Sequence, residues 1–500
     1  MTSEPLLSEI EEQAELPVED HSARNRLVIG LLLVSAFVVI LNETIMGVAI
    51  PHLMNDLKIP ASSAQWLTSA FMLTMAVVIP VTGFLLQRLN TRPVFILAMS
   101  LFSAGTLVSA LAPGFPFLVV GRIVQASGTA IMMPLLMTTI MNLVPPHSRG
   151  RTMGNISIVI SVAPAIGPTI SGLILSTLDW RWLFLLVLPI ALAALALGAA
   201  KIENVTVPSK APLDVVSVVL SAIGFGSFVF GVSELGAPPE AGATPFDPRV
   251  MLLAGAAVIA IFVWRQIHLQ KRERALLDLR TLQTKTFTIA AGMMAILMMS
   301  MFGVFILLPI YLLSVLGQTT LTTGLLLLPG GLIMGLCAPF VGRLFDRYGP
   351  ARLVIPGAVL FSGVMWSLTF ISTTTPVWMV LAIHIVLSIG LALMFTPLFT
   401  VSLGSLPPKL YSHGSAIIGT TQQVAGAAGT TLYVAIMTWR AGILTQGKAD
   451  AATATVGGMQ SAFFVGALIS LAAVVASFYV RRPPSQPSQP SQPEGQPLGH

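Results

Sequence analysis

Charge is what this sequence has least of. Asp, Glu, Lys and Arg make up 9% of 500 residues, while hydrophobic residues make up 55%. A soluble domain carries about 25% charged residues, so this chain cannot cover itself with a wetted surface, and a soluble enzyme is excluded. Cysteine is reduced to Cys337, inside an apolar run; no intramolecular disulfide is possible, and the redox compartment stays open. There is no Gly-rich loop ending in Lys-Ser/Thr, so ATP is not the energy source through a P-loop. No His/Asp/Glu cluster, catalytic triad or metal-ligand pattern is visible, which argues against a membrane enzyme and implies neither metal nor cofactor. The first 24 residues hold seven acids (Glu4, Glu9, Glu11, Glu12, Glu15, Glu19, Asp20), the opposite of a signal peptide's basic start.

What the chain has instead is apolar runs of roughly 20 residues, each long enough to cross ~30 Å of hydrocarbon as a helix. Mean hydropathy is +0.86. Fourteen spans are predicted, from about 27–50 to about 457–480, giving an all-α polytopic membrane protein. Twenty of the 26 Lys and Arg residues fall in loops on the side of the two termini, which makes that side cytoplasmic by the positive-inside rule. The same distribution accounts for the pI of 9.7 as loop charge facing the bilayer, without a nucleic-acid partner.

The spans group as six, two and six. Residues 1–24 form an acidic tail, 25–200 a first six-helix half, 201–285 a linker with two extra spans, 286–480 a second half, and 481–500 a Pro/Ser/Gln tail expected to be disordered. The halves echo each other. GFLLQRLNTR after span 2 and GRLFDRYGPAR after span 10 align Gly83, Leu85 and Arg88 with Gly342, Leu344 and Arg347 at one constant offset. Parallel repeats of this kind mark a class of secondary transporter.

Three further patterns carry chemistry. Span 1 ends LNETIMGVAIP and holds Glu43, its only charge; span 4 opens GRIVQASGTA with Arg122; span 5 reads GNISIVISVAPAIGPTISGLI. An acid at bilayer depth costs about 2.5 kcal/mol or more and marks a proton or substrate pathway. Glu43 and Arg122 are expected ~10–12 Å below the outer surface at ~1.5 Å per residue, where the two can pair. Pro164, Gly167, Pro168 and Gly172 interrupt span 5, opening backbone hydrogen bonds and permitting close helix approach.

Together these patterns, over residues 25–480, resemble the major facilitator superfamily, in particular its fourteen-span drug:proton antiporters. The span 1 sequence is similar to that of the lincomycin-resistance-type multidrug exporters. The resemblance implies a proton role for Glu43 with Arg122 as its partner, although the family's usual acid stands one position earlier, where this chain has Asn42. It implies an antiporter role for the span 5 pattern. It implies state-dependent charge pairs in the two basic loops (Gly83, Gln87, Arg88, Arg92; Gly342, Arg343, Asp346, Arg347), with Gln87 replacing an expected acid that the second copy keeps as Asp346.

A cavity for bulky amphiphiles is mostly apolar with a few polar groups, and the expected lining is Asn42, Gln65, Trp66, Tyr311, Met394, Phe395, Gln422 and Gln423. The expected function is proton-coupled export of drugs or other toxic amphiphiles by a monomer in the cell membrane. The alternative is a dedicated exporter of an endogenous metabolite or lipid precursor.

Overall fold

The computed structural model describes residues 22–204, 213–235, 246–448 and 450–480. The Pro/Ser/Gln tail and all but the last three residues of the acidic tail lie outside the described residues. The described residues fold into fourteen long helices: α1 Ser22–Leu57, α2 Ala61–Arg88, α3 Thr91–Ala110, α4 Phe115–Leu143, α5 Arg149–Leu175, α6 Arg181–Lys201, α7 Val215–Leu235 and α8 Pro248–Gln270. After them come α9 Lys285–Ile310, α10 Thr320–Tyr348, α11 Ala351–Leu368, α12 Val377–Gly404, α13 Tyr411–Gln446 and α14 Ala451–Ser477. The fourteen expected spans are all present.

Thirteen of these helices are long and apolar enough to cross a membrane. The fourteenth, α13, carries Ser412, His413, Thr420, Thr421, Gln422 and Gln423 in its first half. Its neighbours make this tolerable: α13 packs on α9, α14, α2, α7 and α4, and Tyr411–Ile418 is buried. Elsewhere hydroxyls bond back to their own helix, as Ser35 does to the Leu31 carbonyl and Thr106 to that of Phe102. That satisfies a polar group where no water is available.

Starts and stops follow local chemistry. Asp247, Thr319 and Asp450 cap α8, α10 and α14 by accepting backbone N–H bonds. Gly349 ends α10 at φ +79°, a conformation open to glycine at little cost. After Pro309, α9 widens into a π turn over Tyr311–Val315; proline withdraws a donor and the ladder re-registers.

Helices α1–α6 pack among themselves, as do α9–α14. The two groups meet along two seams, α5 against α10 and α2 against α13. Helices α7 and α8 pair with each other, and α7 lies against both α2 and α13. The end of the bundle where α2 stops and α5 begins carries the Arg-rich loops and is called here the basic face.

Candidate functional site

Arg122 on α4 is 1% exposed. Its Nη1 donates to Gln125 Oε1 at 2.7 Å and to Asn42 Oδ1 at 3.3 Å, and the guanidinium lies 4.1 Å from the centre of the Phe71 ring. Gln125 in turn donates to Thr106 Oγ1 at 2.8 Å, so α1, α2, α3 and α4 all contribute. Arg122 Nε has no hydrogen-bond partner among the described residues. No carboxylate of a described residue lies within the 4.0 Å ion-pair distance of Arg122. Burying a cation among neutral partners is costly, and the acid Glu43 is the residue next to Asn42 on α1.

Glu43 is half-buried and forms no hydrogen bond or ion pair with a described residue. The expected contact pair is therefore an arginine held by Asn42 with the acid one residue further round the helix. Asn42 occupies the position at which the resemblance expects the acid, and its amide oxygen takes the guanidinium. Helix α1 also continues past Pro51 to Leu57, so Glu43 lies deeper from that end than the sequence suggested.

The span 5 pattern packs behind this acid. An added side-chain carbon at Gly167 would strike the Thr44 hydroxyl, so only glycine lets α5 approach α1 here. Ser171 Oγ donates to the Ile45 carbonyl at 3.0 Å. Pro164 is partly buried, Pro168 is exposed, and the Gly172 position has open space around it. Half of the pattern thus positions α1 around Glu43, and half faces outward.

The two loop copies meet opposite helices. Asp346, at the end of α10, accepts from the backbone N–H of Gly150 and of Arg151, both at 2.8 Å. A carboxylate there meets the unsatisfied donors and the positive end of the α5 dipole. An added carbon on Gly342 would strike the Gly150 carbonyl, so the backbones touch. In the first copy, Gln87 Nε2 donates to the Lys409 carbonyl, just before α13, at 2.9 Å. Gly83 lies against Ser412, His413 and Ala416 of α13. Arg149 adds a third link, donating to Tyr411 Oη at 3.4 Å with its guanidinium 5.6 Å from that ring. Ser157 and Thr396 share a 2.8 Å hydrogen bond. Among the described residues, the hydrogen bonds between α1–α6 and α9–α14 lie in the basic half, apart from Gln423 Nε2 to Met75 Sδ at 3.9 Å near mid-depth. The hydrogen-bonded contacts between the two groups therefore concentrate toward the basic face.

Other expected residues scatter. Arg92 turns away from both seams: its backbone N–H donates to Asn204 Oδ1, and it lines a shallow groove with Ile96, Leu97 and Ser100. Trp66 stacks on Phe230 of α7 with ring centres 5.8 Å apart. Tyr311 is buried, its Oη donating to the Ser372 carbonyl at 2.6 Å, and Phe395 stacks on Phe399. Gln422 Nε2 is buried without a partner. The Gln65 side chain lies outside the described residues. Gln125, Arg149 and Tyr411 were missed; Gln125, three residues after Arg122 on one helix face, carried the only readable signal.

The helical bundle, its paired halves and its repeated loops set the stage for the comparisons. Residues 32–430 match the Major Facilitator Superfamily. The chain belongs to that superfamily. A curated relative, lincomycin resistance protein LmrB of Listeria monocytogenes, is 39% identical over 460 residues, covering 91% of this chain and 96% of the relative. Its Bacillus subtilis namesake is 39% identical, covering 90% and 95%. A multidrug resistance protein B homolog of Mycobacterium tuberculosis is 30% identical, covering 83% and 78%. Among solved structures, the proton:xylose symporter XylE superposes with a TM-score of 0.62 at 17% identity, covering 91% of this chain and 96% of that one. The human organic anion transporter MFSD10 gives 0.61 at 12%, covering 91% and 99%. These two show the fold alone. Superfamily membership makes this chain a multi-pass membrane transporter rather than an enzyme.

Proposed function

We propose that this protein exports bulky amphiphilic drugs in exchange for protons, the halves at 25–200 and 286–480 rocking about a central site while 201–285 supplies the inserted pair. The relatives named for lincomycin and multidrug resistance support the substrate class. The basic face, with both termini, is cytoplasmic, and the contacts that hold it shut then correspond to the outward-facing state. The transporter works as a monomer.

One observation carries the coupling: Glu43 is a half-buried acid without a hydrogen-bond partner among the described residues, one position from the Asn42 that helps to hold a fully buried arginine. Arg122 favours the ionised acid. A proton taken from outside neutralises Glu43, and opening of the basic face lets it leave inward as drug enters. Each charge moved gains ~2.3 kcal/mol per 100 mV of membrane potential.

Glu43→Gln keeps the size and mimics the protonated acid. In inverted vesicles with an imposed pH gradient it abolishes uphill drug transport while the protein stays folded and binds drug. Parent-level uphill transport by Glu43→Gln sinks the mechanism. Accumulation of a cell metabolite by a deletion strain that remains drug-tolerant sinks the substrate class.

A further inference from the structure

The inserted pair is mechanically graded. Between α7 and α8 the backbones touch: a carbon added to Gly231 would strike Leu252 and Pro248, and one added to Gly255 would strike the Phe228 backbone. At the basic end, Arg265 grips Asp214 in a bidentate pair at 2.7 and 2.8 Å. Gln266, fully buried, donates to Ser217 Oγ at 2.7 Å. The two helices therefore form one stiff unit.

Among the described residues, that unit is hydrogen-bonded on one side only. Thr431 Oγ1 of α13 donates to the Val232 carbonyl of α7 at 2.6 Å. Gln266 Oε1 also accepts from the backbone N–H of Leu276 and Leu277 at 2.8 and 3.2 Å, pinning the segment that leads into α9. The turn Leu279–Gln283 that follows packs on α8, α9 and α13. Burial works against the charge of Asp278 in this segment, but hydrogen bonds from Arg280 hold its carboxyl below the usual range, so this carboxylate is ionised at neutral pH.

Toward α2 the contact is different in kind. Among the described residues it is apolar: the Trp66 ring near that of Phe230, Val77 facing Gly226 where an added carbon would just meet it, and Leu73 and Ala76 with Val229 and Val232. Surfaces without directional bonds slide at low cost, whereas hydrogen-bonded, backbone-interlocked ones move together.

We propose that α7–α8 is a strap carried by α9–α14, sliding over α2 and keeping the α2–α13 seam covered as the halves rock. The inference rests on the rocking proposed above. It assigns the inserted pair to the second half and gives it a sealing role.

The test uses two cysteine pairs in a Cys337→Ser background: Val77→Cys with Gly226→Cys joins α2 to α7, and Val232→Cys with Thr431→Cys joins α7 to α13. Bridged with a short bifunctional thiol reagent, the first pair loses at least 10-fold in drug transport and recovers on reduction. The second keeps at least half. A freely transporting α2–α7 bridge, or an α7–α13 bridge that abolishes transport, overturns the strap. A second readout does not need transport: adding Gly342→Val, which props the basic face open, slows cross-linking of the first pair several-fold and leaves the second unchanged. Equal responses of the two pairs overturn the proposal. If the reduced proteins move no drug, the transport reading fails, and the cross-linking rates still decide whether the strap exists.

Discussion

The two seams are copies of one arrangement, and they have diverged. At α5–α10 the second-half loop keeps its acid, and Asp346 takes two N–H groups at the start of α5 while Gly342 brings backbone to backbone. At α2–α13 the first-half loop has Gln87, which makes one neutral bond to the Lys409 carbonyl, and α7 lies along the outside. A carboxylate on a helix N-terminus adds charge–dipole attraction to its hydrogen bonds, about 0.3–2 kcal/mol beyond a neutral contact. One seam closes by electrostatics and tight packing, the other by weaker bonding under an added helix. The lesson is that equivalent positions in a duplicated transporter need not make equal contacts with the other half.

The comparison breaks most visibly at Gly342. Gly342→Val forces a side chain into the Gly150 carbonyl, where only a backbone shift could relieve the clash. A cysteine at position 415, placed between the halves in the Cys337→Ser background, should then be alkylated at least 10-fold faster from the basic face, and drug transport should fall by a similar factor. If alkylation is unchanged, this seam does not set closure.

Asp346→Asn is the next test. It keeps the shape but removes the charge and one acceptor, costing about 1–2 kcal/mol. At 1.4 kcal/mol per tenfold, the same alkylation should rise roughly 5–30-fold. Gln87→Ala should have the smallest effect, about 0.5–1 kcal/mol for one neutral bond and roughly 2–5-fold in alkylation. A larger effect at Gln87 than at Asp346 would reverse the ranking of the seams.

Much of this was readable from the chain. Gly83 and Gly342, Gln87 and Asp346 stood out because a duplication printed them twice at one offset, and each does face the other half. The fourteen helices followed from apolar run length, α13 included, although its Gln and Thr residues make it the least apolar. The Arg149–Tyr411 link and the Thr431–Val232 bond were hidden, because they join residues 262 and 199 positions apart. Such contacts depend on the rotation of each helix about its axis, which no local pattern records. Near Glu43, sequence placed the right residues in the right neighbourhood but not their pairing. One step along a helix turns a side chain by about 100°, enough to give Arg122 to Asn42 and leave Glu43 without a hydrogen bond or ion pair among the described residues.

The touching backbones at Gly150 and Gly342 have a kinetic consequence. Side chains can yield by changing rotamer, so a seam built from them loosens gradually; main chain against main chain has no such compliance. The two N–H groups bound by Asp346 sit on adjacent residues of one helix and must part together. On the rocking proposed above, closure at this seam is therefore discrete, as packed interfaces generally are. A single-molecule trace of the basic face would show abrupt jumps between two levels, with exponentially distributed dwell times and no graded drift between them.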